Sequence, residues 1–162
     1  MPAVATCLWF DGQAEEAARF YVSAFRALGR EAAVGDILRH GDAGPGPKGG
    51  VLTVTFTLDG QEFIALNGGP HFTFSPAISL FVKCAGQAEV DGFWERLSEG
   101  GRTERCGWLT DRFGVSWQIV PTALGEMLRD PDPARAGRVM RAMTKFDIAA
   151  LQQAYNEGAP VA

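Results

Sequence analysis

The sequence contains few thiols and imidazoles that could act as nucleophiles, bases or metal ligands. Its thiols are those of Cys7, Cys84 and Cys106, and its only imidazoles are those of His40 and His71. A reactive thiolate needs a nearby base or cation to lower its pKa, and neither Cys7 nor Cys106 has an evident histidine partner. We therefore expect both thiols to be buried and inert. Both histidines lie in or beside loops rich in glycine and proline, where solvent exposure is the ordinary outcome.

The best-placed polar candidate is the amide of Gln118. It lies in the run 106–121, which reads as two short strands joined by a turn over Asp111–Gly114. Aspartate can cap such a turn through its own backbone, and glycine can adopt the positive φ that closes it. Apolar side chains at positions 115, 117 and 119 alternate with the set that contains Gln118. This alternation predicts one face for the core and one that offers polar groups.

The first part of the sequence predicts one strand, one helix and three further strands. Apolar residues at helical spacing predict the helix, and alternating β-branched residues predict the strands. The predicted ranges are 4–10 for the first strand, 13–28 for the helix, and 32–39, 51–58 and 61–67 for the other strands. Glycines and prolines make 41–50 a loop, and Asp59-Gly60 is a two-residue hairpin signal. These elements form one βαβββ module.

The same order of elements recurs in the second part of the sequence. A strand over 77–84, a helix over 86–100 and two or three short strands up to Pro121 complete a second βαβββ module. Beyond it the pattern is helical, with helix starts at Asp132-Pro133 and at Asp147. We expect a single α+β domain over 1–162. It comprises module one over about 1–70, module two over about 75–121 and a helical tail over about 122–158.

Composition excludes several classes of protein. The 15 basic and 19 acidic residues give a net charge of −4, so there is no electrostatic footprint for nucleic acid or an anionic membrane. Three widely spaced cysteines without a CxxC pair favour neither a disulfide framework nor a zinc site. No apolar run approaches the roughly 20 residues of a membrane span, and the N-terminus lacks the basic region of a signal peptide. We expect a cytoplasmic protein with a small organic partner.

Motifs spread over nearly the whole chain carry a family resemblance. They are Leu66–Pro70, Ser79-Leu80, Phe93-Trp94 with Gly100-Gly101, the run 106–121, Arg138–Met140 and Phe146–Ile148. Together with the paired modules, they resemble the PhnB-like branch of the vicinal-oxygen-chelate superfamily, often labelled 3-demethylubiquinone-9 3-methyltransferase-like. The resemblance implies that the two modules curl a mixed sheet into a cup with helices outside. It also implies a homodimer, because cups in this superfamily are often completed by two chains.

The resemblance also locates the positions where metal-dependent members carry their ligands, usually His, Glu or Gln. These positions match Thr6, Ala65, Ala77 and Gln118. Alanine cannot coordinate a metal and threonine is a poor neutral donor, so we expect no metal ion. The methyltransferase label implies S-adenosylmethionine, which needs a glycine-rich turn between a strand and a helix. The loop 41–50 has prolines and precedes a strand, so we expect no cofactor.

The predicted interior of the cup is mostly apolar with a few hydroxyls and amides, as in small-molecule pockets. Trp9 and Trp117 would then face the helices. The predicted ligand-binding residues are Thr6, Leu8, Asn67, Ser79, Phe81, Trp108 and Gln118. The favoured function is metal-free binding of a small apolar or aromatic molecule. Two alternatives stay open: an enzyme, either a metal-dependent lyase, isomerase or dioxygenase or a methyltransferase, and a dimeric scaffold without a ligand.

Overall fold

The computed structural model of the chain describes residues 3–44, 46–129, 131–132 and 134–157. The chain forms two compact units, Met1–Phe74 and Ser75–Ala162. Within the described ranges, no helix combines the length and the hydrophobicity that a bilayer crossing requires.

The first unit is a βαβββ module whose helix lies after the first strand. The elements are β1 (Thr6–Phe10), α1 (Ala14–Ala27), β2 (Ala32–Arg39), β3 (Val51–Leu58) and β4 (Gln61–Asn67). The strands form a four-stranded mixed sheet in the order β1-β4-β3-β2. β1 runs parallel to β4, whereas β3 is antiparallel to both of its neighbours. The ranges predicted for β2, β3 and β4 are confirmed, because their alternation and bounding turns are local signals.

One face of this sheet packs against α1 and forms the core of the unit. Tyr21 of α1 lies with its ring centroid 6.0 Å from that of Phe56, which stacks on Phe63 at 5.1 Å. All three side chains are buried. Phe63 is in register with Phe56 and with Thr6, so these three residues share the helix-facing side of the sheet. The apolar face of α1 therefore packs against a row whose aromatic members, Phe56 and Phe63, lie on β3 and β4.

The second unit repeats the same topology and adds three helices. Its elements are β5 (Ser79–Cys84), α2 (Gln87–Ser98), β6 (Arg102–Thr103), β7 (Trp108–Thr110), β8 (Ser116–Pro121), α3 (Thr122–Leu128), α4 (Ala134–Ala142) and α5 (Ile148–Glu157). The sheet order β5-β8-β7-β6 matches that of the first unit, with β5 parallel to β8. The α+β prediction of two βαβββ modules followed by helices is confirmed. β5 begins two residues later than predicted, because a turn forms where the Ile78 amide donates to the Ser75 carbonyl at 3.4 Å.

The predicted hairpin joins β7 to β8. Asp111 Oδ1 accepts the backbone amides of Phe113 at 2.9 Å and Val115 at 3.0 Å, and Gly114 has a φ of +93°. Asp111 Oδ2 accepts the indole N–H of Trp117 at 2.8 Å. One buried carboxylate thus closes the turn and holds the following strand.

The chain after α4 returns to the sheet of the second unit. The amides of Cys106 and Gly107 donate to the carbonyls of Met143 and Thr144 at 2.7 and 2.9 Å. Asp147 begins α5 as predicted, since its Oδ1 accepts the Ala150 amide at 3.0 Å. Asp132 likewise accepts the Ala134 amide at 3.3 Å. The predicted Pro133 and the predicted end near Gly158 lie outside the described residues.

Candidate functional site

The two faces of the second sheet have different environments. Trp117 and Ile119 are 1% and 0% exposed and fill the core face, as predicted for Trp117. Gln118, between them in sequence, is half-buried on the opposite face. Its neighbours in register are Phe81 on β5 and Trp108 on β7, so an amide lies between two aromatic side chains. We call this face the Gln118 face.

A cavity of about 470 Å³ lies over the Gln118 face. Its floor comes from β5, β7 and β8, and its far wall comes from α3 and from Phe146 of the returning tail. No aspartate or glutamate is among its lining residues. They are Phe81, Lys83, Cys106, Trp108, Gln118, Val120, Pro121, Thr122, Leu124, Gly125, Leu128, Arg129 and Phe146. The cavity has the size and the mostly apolar lining of a small-molecule pocket.

The predicted site residues of the second unit come together at this cavity. Phe81, Trp108 and Gln118 line it. Ser79 does not line it but accepts a hydrogen bond from Gln118 Nε2 at 3.0 Å. Among the described residues, nothing donates a hydrogen bond to the other amide atom, Gln118 Oε1. This amide is therefore oriented by Ser79 and has an acceptor available for a donor in the cavity.

The sequence predictions did not include the wall of the cavity. In the wall, Leu124, Leu128 and Phe146 supply apolar surface and Arg129 supplies positive charge, and Lys83 on β5 adds a second cation that was also not predicted. Leu124 and Leu128 are one helical turn apart, which is the only local signal that they share a face. Their position over the sheet depends on the direction in which the chain leaves β8. That direction is a tertiary property that the spacing of residues does not encode.

The predicted site residues of the first unit are not on an open face. Thr6, Leu8 and Asn67 belong to rows that also contain Phe63, Ala65 and Phe10, and this side of the sheet is covered by α1. Leu8 is only 6% exposed. The face predicted for Thr6 and Leu8 is therefore wrong, because side chains of β1 are apolar on both faces and alternation could not distinguish them.

Asn67 and Trp9 make structural contacts instead. Asn67 Oδ1 accepts the Ala14 amide at 2.9 Å and so satisfies a free N–H at the start of α1, while its Nδ2 donates to the Val51 carbonyl at 3.1 Å. Trp9 lies on the sheet face opposite Leu8, where its indole donates to the Gly69 carbonyl at 2.9 Å. The prediction that Trp9 faces the helix is also wrong, because both faces of β1 are apolar and alternation does not show which one lies toward α1.

The thiols of Cys7 and Cys106 have different surroundings. Cys106 lines the cavity with a φ of +60°, but no histidine is among the lining residues. Cys7 is exposed, which corrects the prediction of a buried thiol, and partial burial raises its pKa. A raised pKa keeps the thiol protonated at neutral pH, so it is a weaker nucleophile. Among the described residues, none of Cys7, Cys84 and Cys106 forms a disulfide bond.

The two histidines have different surroundings. His71 is exposed, as predicted. His40 is half-buried and contacts the loop at Gly44, and its buried Nδ1 makes no hydrogen bond within the described structure. Neither histidine lines the Gln118 cavity.

The residues at the superfamily's metal positions do not fit a metal ion. Within the described ranges, no three His, Cys, Asp or Glu side chains approach one another closely enough to share one. Thr6 and Ala65 lie on the helix-facing side, Ala77 precedes β5, and the Gln118 amide nitrogen is bonded to Ser79. The loop 41–50 joins the antiparallel strands β2 and β3, so it lacks the strand-to-helix geometry of a nucleotide-binding turn.

Comparison with known proteins agrees with the fold. Residues 2–120 match the model of the 3-demethylubiquinone-9 3-methyltransferase family. A PhnB protein from Bacillus cereus is 37% identical, with a TM-score of 0.67 over 75% of this chain and 100% of its own. Protein PA1353 from Pseudomonas aeruginosa is 21% identical, with a TM-score of 0.61 over 75% of this chain and 98% of its own. No match is found among curated proteins.

The paired βαβββ modules and these matches define a vicinal-oxygen-chelate protein. Within that superfamily, the chain belongs to the PhnB-like, 3-demethylubiquinone-9 3-methyltransferase-like family.

Proposed function

We propose that this protein binds a small apolar or aromatic molecule without the help of a metal ion. The observation that carries the proposal is the cavity of about 470 Å³ over the Gln118 face. The binding residues that we propose are Phe81, Trp108 and Gln118, with Ser79 orienting the amide. Thr6, Leu8 and Asn67 are left out of the proposed site because they lie on the side of their sheet that α1 covers.

The chemistry of the cavity supports this function. Phe81, Trp108 and Phe146 offer aromatic surface, and aromatic rings of a ligand can stack on such side chains or meet their edges. Gln118 Oε1 offers one oriented acceptor, which would favour a ligand that carries a hydroxyl or an N–H group. Apolar walls with few polar groups fit recognition of an organic molecule better than they fit acid–base catalysis.

Binding of 2-naphthamide tests the proposal. A probe of this size has about 13 non-hydrogen atoms, and about 0.3 kcal/mol per atom corresponds to a Kd of about 1 mM. Two-dimensional amide NMR of the full chain should show saturable shifts at the Trp108 indole and at Gln118. Shifts scattered over both units, or none up to 5 mM of probe (about five times that Kd), would contradict the proposal.

Two substitutions at Gly125 test whether filling the cavity prevents binding without destabilising the protein. Gly125 lies on α3, lines the cavity, and has no atom within 4 Å of the position where a Cβ would be. Gly125→Phe should fill the cavity and weaken binding of the probe about tenfold or more, whereas Gly125→Ala should leave the affinity nearly unchanged. Both variants should fold, since replacing a helical glycine stabilises a helix by up to about 1 kcal/mol. Phe81→Ala removes an exposed aromatic ring from the floor of the cavity and should also weaken binding.

The enzyme alternative makes a different prediction about metals. A metal-dependent lyase, isomerase or dioxygenase would retain close to one divalent ion per chain after purification and dialysis. Elemental analysis of the full chain, with and without prior incubation with Zn²⁺, Mn²⁺ or Fe²⁺, distinguishes a metal-dependent enzyme from a metal-free binding protein. We expect much less than one ion per chain. A stoichiometric ion would overturn the metal-free part of the proposal.

We further propose that the protein forms a homodimer in the cytoplasm. Phe72 in the first unit is 65% exposed and Ile78 in the second unit is 74% exposed, and each is apolar surface that a second copy would cover. The free cysteines agree with a reducing compartment. Native mass spectrometry tests the dimer, and fractionation of cells that express the tagged full chain tests the location.

A further inference from the structure

We propose that the ligand of the Gln118 cavity carries a carboxylate on its apolar or aromatic body. This inference rests on the proposed function and names the chemical class of the ligand. It comes from the charges that line the cavity rather than from its apolar surface.

The charged side chains of the cavity have one sign. Lys83 and Arg129 are the charged residues among those that line it, and both are exposed. The protein as a whole has a net charge of −4, so a cavity with two cations and no anion departs from the average surface. Two positive side chains at a pocket favour a negatively charged guest and disfavour a positive one.

Lys83 lies toward one end of the cavity floor, and Arg129 follows the helix of the cavity wall. Lys83 is in register with Val120, two residues further along the strands than the row of Phe81 and Gln118. α3 begins directly after β8, and Arg129 is the first residue after α3. A guest with its ring over Phe81 and Trp108 would therefore place a charged group near Lys83.

Arg129 is available for such a group. Within the described residues, its guanidinium makes no hydrogen bond or ion pair, and only its backbone amide is bonded, to carbonyls of α3. A guanidinium presents two parallel N–H groups that match the two oxygens of a carboxylate. The combination of an aromatic floor, one acceptor and an available guanidinium defines an aromatic or aliphatic monocarboxylate as the ligand class.

The test compares 2-naphthoate with 2-naphthamide, which have nearly the same shape and differ in charge. By amide NMR titration at 50 mM NaCl, the carboxylate should bind the wild-type chain at least about fivefold more tightly. Raising the salt to 500 mM should reduce this preference, because ionic strength screens exposed charges. Lys83→Met and Arg129→Gln should each lower the affinity for 2-naphthoate by a larger factor than the affinity for 2-naphthamide.

Matched control variants remove the same charges elsewhere. Lys48→Met and Arg102→Gln change cations that are 77% and 73% exposed and do not line the cavity, so the preference for the carboxylate should persist. If both probes bind equally, and Lys83→Met and Arg129→Gln change neither, the carboxylate inference is wrong and the binding function stands. If neither probe binds, the inference and the proposed function both fail.

Discussion

The indole Nε1 of Trp117 donates a hydrogen bond to Asp111 Oδ2 at 2.8 Å, and the two side chains are 1% and 3% exposed. The other carboxylate oxygen accepts the amides of Phe113 and Val115. The turn and the core side of β8 are therefore held by the same group. Because neighbouring residues of a strand point to opposite faces, this contact also directs Gln118 to the cavity.

Removing the carboxylate should destabilise the second unit. Asp111→Ala leaves the Trp117 indole and two backbone amides without an acceptor, so the free energy of unfolding should fall by about 2–4 kcal/mol. Asp111→Asn keeps one acceptor but places an amide near another donor, and we expect about 1–3 kcal/mol. Urea unfolding followed by tryptophan fluorescence measures both. As a control, Asp42→Ala removes a carboxylate that is 81% exposed and should cost less than about 0.5 kcal/mol. Equal losses at positions 111 and 42 would contradict this assignment.

Gly107 combines a positive φ with close neighbours that leave no room for a side chain. Its φ is +77°, and an added Cβ would lie 2.5 Å from Phe146 Cε2 and 2.7 Å from the Ile119 carbonyl oxygen. Gly107→Ala should reduce the free energy of unfolding by about 2–4 kcal/mol, from backbone strain together with overpacking. Gly60→Ala is the matched control, since Gly60 has a φ of +81° with nothing within 4 Å. It should cost only about 1–2 kcal/mol.

Gln87 should anchor the start of α5. Its Nε2 donates to the Phe146 carbonyl at 2.9 Å and its Oε1 accepts the Ile148 amide at 2.8 Å. Gln87→Ala removes both bonds, so the amides at the start of α5 should exchange with deuterium about tenfold faster, equivalent to about 1.4 kcal/mol of local stability. Hydrogen exchange with mass spectrometry measures this change. Gln61→Ala, an exposed change in the first unit, should leave exchange in α5 as it is.

Asp91 should make part of the stability depend on pH. A hydrogen bond from Lys145, at 2.8 Å, and a second from Gln87 lower the pKa of its carboxyl below the ordinary value of 3.8. A lowered folded-state pKa stabilises the folded protein above the unfolded value, and the contribution disappears as the pH falls through the folded-state pKa. Urea unfolding should therefore find Asp91→Asn less stable than the wild type at pH 7, with the difference closing below about pH 4.

The partner in this pair provides the control. Lys145→Met should show the same loss at pH 7 and the same convergence at low pH, because it removes the main donor to Asp91. A stability difference that stays constant between pH 7 and pH 3 would show that the variants act through packing rather than through the charge of Asp91.

Local signals accounted for the elements and for the Asp111 hairpin. The alternation of β3 and β4, the Asp59-Gly60 turn and the capping chemistry of Asp111 are encoded within a few residues of one another. The face of β1 could not be derived in this way, because Leu8 and Trp9 are both apolar and either could face α1. Which face of β1 lies toward α1 depends on packing with Tyr21 and Phe56, and these residues belong to other elements.

The residues on the floor of the cavity could be predicted from the sequence, whereas the residues of its wall could not. Gln118 and Phe81 follow from strand alternation together with the parallel pairing of β5 with β8. Arg129 and Phe146 reach the cavity only through the path of α3 and of the returning tail. Contacts between segments so far apart in sequence depend on the packing of the whole unit rather than on periodicity.

That division between floor and wall affects how selectivity could vary among related proteins. The match to the family ends at residue 120, whereas α3, Arg129 and Phe146 all follow it. In this chain the strands that form the floor lie inside the matched region, and the residues of the wall follow it. Replacing the segment after β8 should therefore alter ligand preference while the strands stay unchanged. The wall is the part of the site in which a change of specificity requires no redesign of the sheet.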